Sequence, residues 1–81
     1  MNNKNIQDVE VIEELIALYE KYGSLLTQTQ KQAFHLRFFE DLSYQEIANV
    51  LVTTRSAAYD SVKKAIDKLE KINNKLKNNT L

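Results

Sequence analysis

Apolar positions recur along the chain at helical spacing, and β-branched runs are absent. From about Asp8 to Tyr22, Val9, Ile12, Leu15, Ile16, Tyr19 and Tyr22 repeat at three and four. They predict an amphipathic helix with one buried stripe. Asp8, Glu10, Glu13 and Glu14 crowd its first half, where the helix dipole favours negative charge. Gly23 follows the last turn and is expected to close it as a left-handed C-cap.

Thr27-Gln28-Thr29-Gln30 fits a capping box and opens a second helix ending near Phe39. Phe34, Phe38 and Phe39 are expected in the core, with Ala33, Leu25, Leu26 and Leu36 adding apolar surface. Ser43-Tyr44-Gln45-Glu46 is a second capping box, so a short third helix starts after Ser43 and turns Ile47, Ala48 and Leu51 inward. Val52-Thr53 is the break. A fourth helix, N-capped by Thr54, is predicted to run to Lys77 and to be about 36 Å long. The sequence therefore reads as all-α, a small helical bundle with a long C-terminal helix. It forms one domain over 1–81, with 1–5 and 78–81 frayed.

Ala58, Val62, Ala65, Leu69, Ile72 and Leu76 are spaced 4, 3, 4, 3, 4, a heptad seam longer than a small trihelical core needs. Leaving such side chains in water forgoes roughly 1.5–3 kcal/mol each. Ile72 and Leu76 extend past the compact core and must pack on the first helix of the same chain or on another copy; a homodimer through Val62, Leu69, Ile72 and Leu76, with the first helix as a further contact, is the expectation adopted.

Composition narrows the chemistry. Eighty-one residues without Cys allow no disulfide framework and no thiolate metal site. The single His35 has no second group at catalytic spacing, so neither an enzyme nor a metal or cofactor is expected. Nothing at the start reads as a signal peptide, and no stretch nears the ~18 apolar residues of a membrane span, so a cytoplasmic protein is expected. The neutral total hides an asymmetry: residues 1–46 hold four basic against eight acidic residues, and 47–81 hold seven basic against three acidic. The positive half lies mostly on the fourth helix.

A short capped helix, a tight turn and a second helix with polar residues in its first turns is the pattern of a helix-turn-helix. Its second helix offers its leading residues to base edges in a major groove. By position these are Thr54, Arg55, Ser56, Tyr59 and Asp60, with Lys63 and Lys64 one turn on. Arg55 has the fork that pairs bidentately with guanine. The helix-start amides, Lys63 and Lys64 suit phosphates. Each has a plainer reading: Arg55 as an exposed helix-start residue, Tyr59 packed on the third helix, Asp60 paired with Lys63 or Lys64. Lys63, Lys64, Lys68, Lys71 and Lys75 read equally as a phosphate track or as a solvated face. Arg37 is expected to pair with Glu40, Asp41 or Glu46. The small Ala48 suits a close crossing of the two helices.

The runs from Leu26 to Phe34, Leu36-Arg37-Phe38-Phe39-Glu40, Leu42 to Ala48, and Leu51 resemble region four of bacterial sigma factors, without a gap from about Leu25 to Leu69. A closer resemblance, over about residues 12–76, is to the YlxM family of helix-turn-helix proteins. It rests on Tyr22-Gly23-Ser24-Leu25-Leu26-Thr27, Asp41-Leu42-Ser43, Glu46-Ile47-Ala48, Arg55 and Ala57-Ala58-Tyr59-Asp60. That resemblance implies a regulatory, nucleic-acid-binding protein of the signal recognition particle pathway, with DNA or structured RNA as partner. Its alternative is an adaptor that binds the particle's protein or RNA and reads no DNA. Two positions depart from the helix-turn-helix pattern: Asp60 puts a carboxylate on the face that would approach DNA, where it accepts from a cytosine amine or meets phosphate repulsion, and the turn, which normally carries Gly, here has Val52. A left-handed β-branched residue is costly, so a remodelled turn is expected.

Overall fold

A computed structural model describes residues 9–78, and every regular element among them is helical. Helix α1 spans Val9–Tyr22, α2 Gln28–Phe38, α3 Tyr44–Leu51 and α4 Arg55–Asn78, with a 3-10 turn at Gly23–Leu25. The readings for residues 1–8 and 79–81 fall outside the described residues; Asn78 is the last residue of α4.

Local chemistry sets the starts. The Thr27 hydroxyl accepts from Gln30 N–H at 3.1 Å, while the Gln30 carboxamide oxygen accepts from Thr27 N–H at 3.0 Å. Ser43 and Glu46 repeat the arrangement at 3.1 and 2.8 Å. The Thr54 hydroxyl accepts from Ala57 N–H at 3.1 Å. Each cap supplies an acceptor for an amide that the first turn leaves orphaned, worth about 1 kcal/mol.

The core lies where α4 crosses the other three helices. Leu15, Leu26, Ala33, Phe34, Ile47, Ala48, Ala58, Val62, Ala65, Ile66 and Leu69 are all buried. Ala48 and Ala58 are fully so, which lets α3 and α4 approach closely. On α1 the packed side chains are Val11, Leu15, Ile16, Leu18, Tyr19 and Tyr22. Val9, placed on the stripe by its spacing, is exposed.

Beyond Val9, four expectations about helix ends and the side chains beside them are corrected. Gly23 is no left-handed cap: no glycine among the described residues has positive φ. It opens the 3-10 turn and is buried, and a Cβ there would meet the Tyr19 ring at 3.2 Å. Close approach, not backbone freedom, is what this glycine supplies. Phe39 is the α2 C-cap and is half exposed; its ring lies flat on His35, centroids 5.0 Å apart, and is tilted against Tyr19. Phe34, by contrast, is fully buried and stacked on Tyr19 at 4.5 Å. Arg37 takes no carboxylate. Its Nη1 donates to the Leu42 carbonyl at 2.9 Å, and its guanidinium lies over the Tyr44 ring. The acids expected to hold it are turned elsewhere: Glu40 meets His35 at 3.2 Å, and Glu46 serves the Ser43 amide. The turn at Val52 is the fourth case.

Candidate nucleic-acid interface

The α3–α4 turn is not remodelled. Val52 sits in the left-handed region at φ 55°, ψ 57°, and its N–H donates to the Ala48 carbonyl. Thr53 N–H reaches the same carbonyl at 2.9 Å. Two amides on one carbonyl close the end of α3 and oblige the chain to reverse there. The strain, about 1–2 kcal/mol for a residue with a Cβ, is carried by that closure. The Val52 side chain points into solvent, 90% exposed, so no packing offsets the strain. Asp41, at φ 61°, makes the equivalent reversal after α2, letting Leu42 N–H reach Leu36 at 3.0 Å. A short polar side chain tolerates that conformation better.

Beyond the turn, α4 divides by face. Ala58, Val62, Ala65, Ile66 and Leu69 are buried. Thr54, Arg55, Ser56, Tyr59, Asp60, Lys63 and Lys64, all the residues singled out by position, are exposed. They are spread round the solvent side of the first three turns, with Arg55 and Lys64 about 180° apart on the helix and Ser56, Tyr59, Asp60 and Lys63 between them. The Asp60 carboxylate meets Lys64 at 3.1 Å and Asp67 meets Lys63 at 3.3 Å, both i,i+4 pairs in solvent. Such pairs are worth about 0.3–0.5 kcal/mol and open readily to a stronger anion. No carboxylate among the described residues lies within ion-pair distance of Arg55, whose charge is available at the helix start.

Tyr59 combines its two expected roles. Its ring meets Tyr44 edge to face at 5.1 Å, yet it remains 48% exposed. Tyr44 is the residue that position-by-position reasoning passed over. It lies between Arg37, 4.5 Å from its centroid, and Tyr59, so α2, α3 and α4 are tied through one ring. The available signal was an aromatic at the first helical position after the Ser43 cap, with nothing in its own short helix to cover it.

The proposed dimer residues separate into two groups. Val62 and Leu69, at 1% and 0% exposure, belong to the chain's own core. Ile72 is half buried and Leu76 half exposed. The seam up to Leu69 therefore finds its cover within one chain. Among the described residues no three His, Asp or Glu side chains converge as a metal site. No described helix is long and apolar enough to cross a membrane.

Comparison with known proteins places this geometry in context. The family model described as "Putative helix-turn-helix protein, YlxM / p13 like" matches residues 9–79. A UPF0122 protein of Ureaplasma urealyticum serovar 10 is 46% identical over 57 residues, 70% of this chain and 58% of the relative. One from Caldanaerobacter subterraneus subsp. tengcongensis is 41% identical over 59 residues, 73% of this chain and 50% of the relative. One from Clostridium perfringens is 41% identical over 64 residues, 79% and 57% of the two chains. The match thus spans little more than half the length of these relatives. No solved structure matches the chain.

Proposed function

The chain belongs to the UPF0122 family of YlxM/p13-like helix-turn-helix proteins, and on that premise we propose that it is a cytoplasmic regulatory protein that binds duplex DNA through the first turns of α4. The observation that carries this reading is the exposure of Arg55, Ser56, Tyr59, Lys63 and Lys64 along the first turns of a helix whose start is fixed by its cap and by the tight turn at Val52. In this reading Arg55 and Ser56 face base edges, with Arg55 bidentate to guanine. The Thr54 hydroxyl is committed to the cap, and Lys63 and Lys64 leave their carboxylates for phosphates. Tyr59 stacks at the groove edge on the side steadied by Tyr44. Asp60 accepts from a cytosine amine or screens Lys64 until DNA arrives.

Fluorescence anisotropy on duplexes of varied sequence tests the reading. Affinity should fall with salt by about 0.9 log units per log unit for each phosphate contacted. Absence of duplex binding at 50 mM salt removes it.

A second reading keeps the surface and changes the partner: an adaptor for protein or RNA components of the signal recognition particle, as the family resemblance implies. The observation favouring it is that both Lys63 and Lys64 are matched by carboxylates on the same face, so two anionic groups would confront the duplex. A pull-down from native cytoplasm, with and without nuclease, separates the two. Pairing of two copies would have to rely on the distal part of α4, Ile72 and beyond. Light scattering at low micromolar concentration supports it with twice the chain mass and removes it with the chain mass alone.

A further inference from the structure

The reading above uses only the first three turns of a helix that has nearly seven. At ~1.5 Å per residue the 24 residues of α4 extend about 36 Å. A major groove is about 12 Å wide, so the distal half of the helix must leave it and pass over its edge, where the phosphates are.

That half carries Lys64, Lys68, Lys71 and Lys75, spaced 4, 3, 4, a row on one face about 16 Å long. Lys64 pairs with Asp60. No carboxylate among the described residues lies within ion-pair distance of Lys68, Lys71 or Lys75. Like charges three and four residues apart destabilise a helix by about 0.2–0.5 kcal/mol per pair. The C-terminal dipole offsets this for Lys75 but not for Lys64 and Lys68 in the body of the helix.

Apart from Asp60, paired with Lys64, and Asp67, paired with Lys63, the acids of the molecule lie away from this row. Helix α1, which holds Glu10, Glu13, Glu14 and Glu20, meets distal α4 across a groove of about 520 Å³. Its lining on the α4 side is Glu70, Asn73, Asn74 and Lys77. Those residues lie roughly 140° round the helix from the lysine row. Helix α2, the other long neighbour of α4, has no acidic residue at all. A cationic row that starts at the exposed Lys64 of the leading turns and runs along the side of α4 away from the acidic α1 flank complements a polyanion lying beside the helix. One DNA strand presents a charge about every 3.4 Å, or some five phosphates beside the row.

We propose that Lys68, Lys71 and Lys75, with Lys64, form a rail for the phosphate backbone of duplex DNA flanking the site read by the leading turns of α4. The inference rests on the DNA-binding reading of that helix. The rail supplies sequence-independent affinity and sets the direction in which α4 leaves the groove.

The test is a salt titration of binding to a fluorescein-labelled 40-base-pair duplex of mixed sequence, with a double-stranded RNA of the same sequence in parallel. K68Q/K71Q/K75Q should lower the salt slope by about 2.7 while circular dichroism shows undiminished helix. K21Q/K77Q, which removes two charges from the α1 flank, should leave the slope in place. An unchanged slope in the triple variant, with R55A still weakening binding, overturns the rail and leaves the DNA reading standing. A wild-type protein that does not bind the duplex overturns both. A slope change on the RNA duplex alone overturns the rail as a DNA contact and assigns the row to RNA.

Discussion

The guanidinium of Arg37 lies over the Tyr44 ring, 4.5 Å from its centroid, on the side of the molecule where Tyr44 also meets Tyr59. Arg37 is anchored at its other end by the Leu42 carbonyl. The loop between α2 and α3, the start of α3 and the second turn of α4 therefore share one contact chain. A cation over an aromatic face and an edge-to-face aromatic pair are each worth about 0.5–1.5 kcal/mol at partly exposed sites. Y44A should lower stability by about 1–3 kcal/mol in urea denaturation and weaken duplex binding by freeing Tyr59. Y44F should keep both. If Y44A matches the wild type in both assays, the ring does not position α4.

Val52 stores strain without packing to show for it. V52G relieves about 1–2 kcal/mol of left-handed strain and loses about 0.4–1 kcal/mol to the freer unfolded chain. A net gain of about 0.5–1 kcal/mol is expected, seen as a raised urea midpoint at unchanged slope. A lower midpoint would mean that the Val52 side chain contributes something the exposed position does not reveal.

Asp60 and Asp67 hold the lysines of the outward face in i,i+4 pairs. The D60N/D67N variant gives up less than about 1 kcal/mol of stability. It should bind duplex several-fold more tightly, because two repulsions vanish and two cations are released. Anisotropy at fixed salt reads this directly, and weaker binding would show that Asp60 makes a favourable base contact.

Ala48 and Ala58 are fully buried where α3 crosses α4. A48L overfills that crossing at a cost of about 1–3 kcal/mol. It should also cut duplex affinity without touching any exposed residue, since the leading turns of α4 would no longer sit at the same angle to α3. Normal affinity in a folded A48L protein would separate DNA binding from the helix-turn-helix geometry.

Arg55 and Lys63 should differ in kind. R55A is expected to cost about 1–3 kcal/mol of affinity and to relax sequence preference. K63Q should weaken all duplexes alike and reduce the salt slope by about 1. Selection from a random duplex pool, run with each variant, measures both.

The elements written locally were all readable. The caps at Thr27, Ser43 and Thr54 act over three residues, and helix periodicity acts over four, so their effect needs no knowledge of the rest of the fold. The same holds for the outward face of α4, because the complement of a clean apolar stripe is exposed on any core. What the chain could not declare in advance was that α1 packs Val11 and Leu18 while leaving Val9 in solvent, or that Gly23 yields to the Tyr19 ring and not to a left-handed turn. Nor could it declare that Arg37 prefers a carbonyl and a ring to three nearby acids. Each is a competition between partners brought together by packing, decided by differences of about a kilocalorie that only the assembled neighbourhood supplies. Val52 shows the same division. Its position at the reversal follows from where α3 must stop, but its strained conformation is held by Ala48 and by the close crossing with α4, which exist only once the bundle has formed.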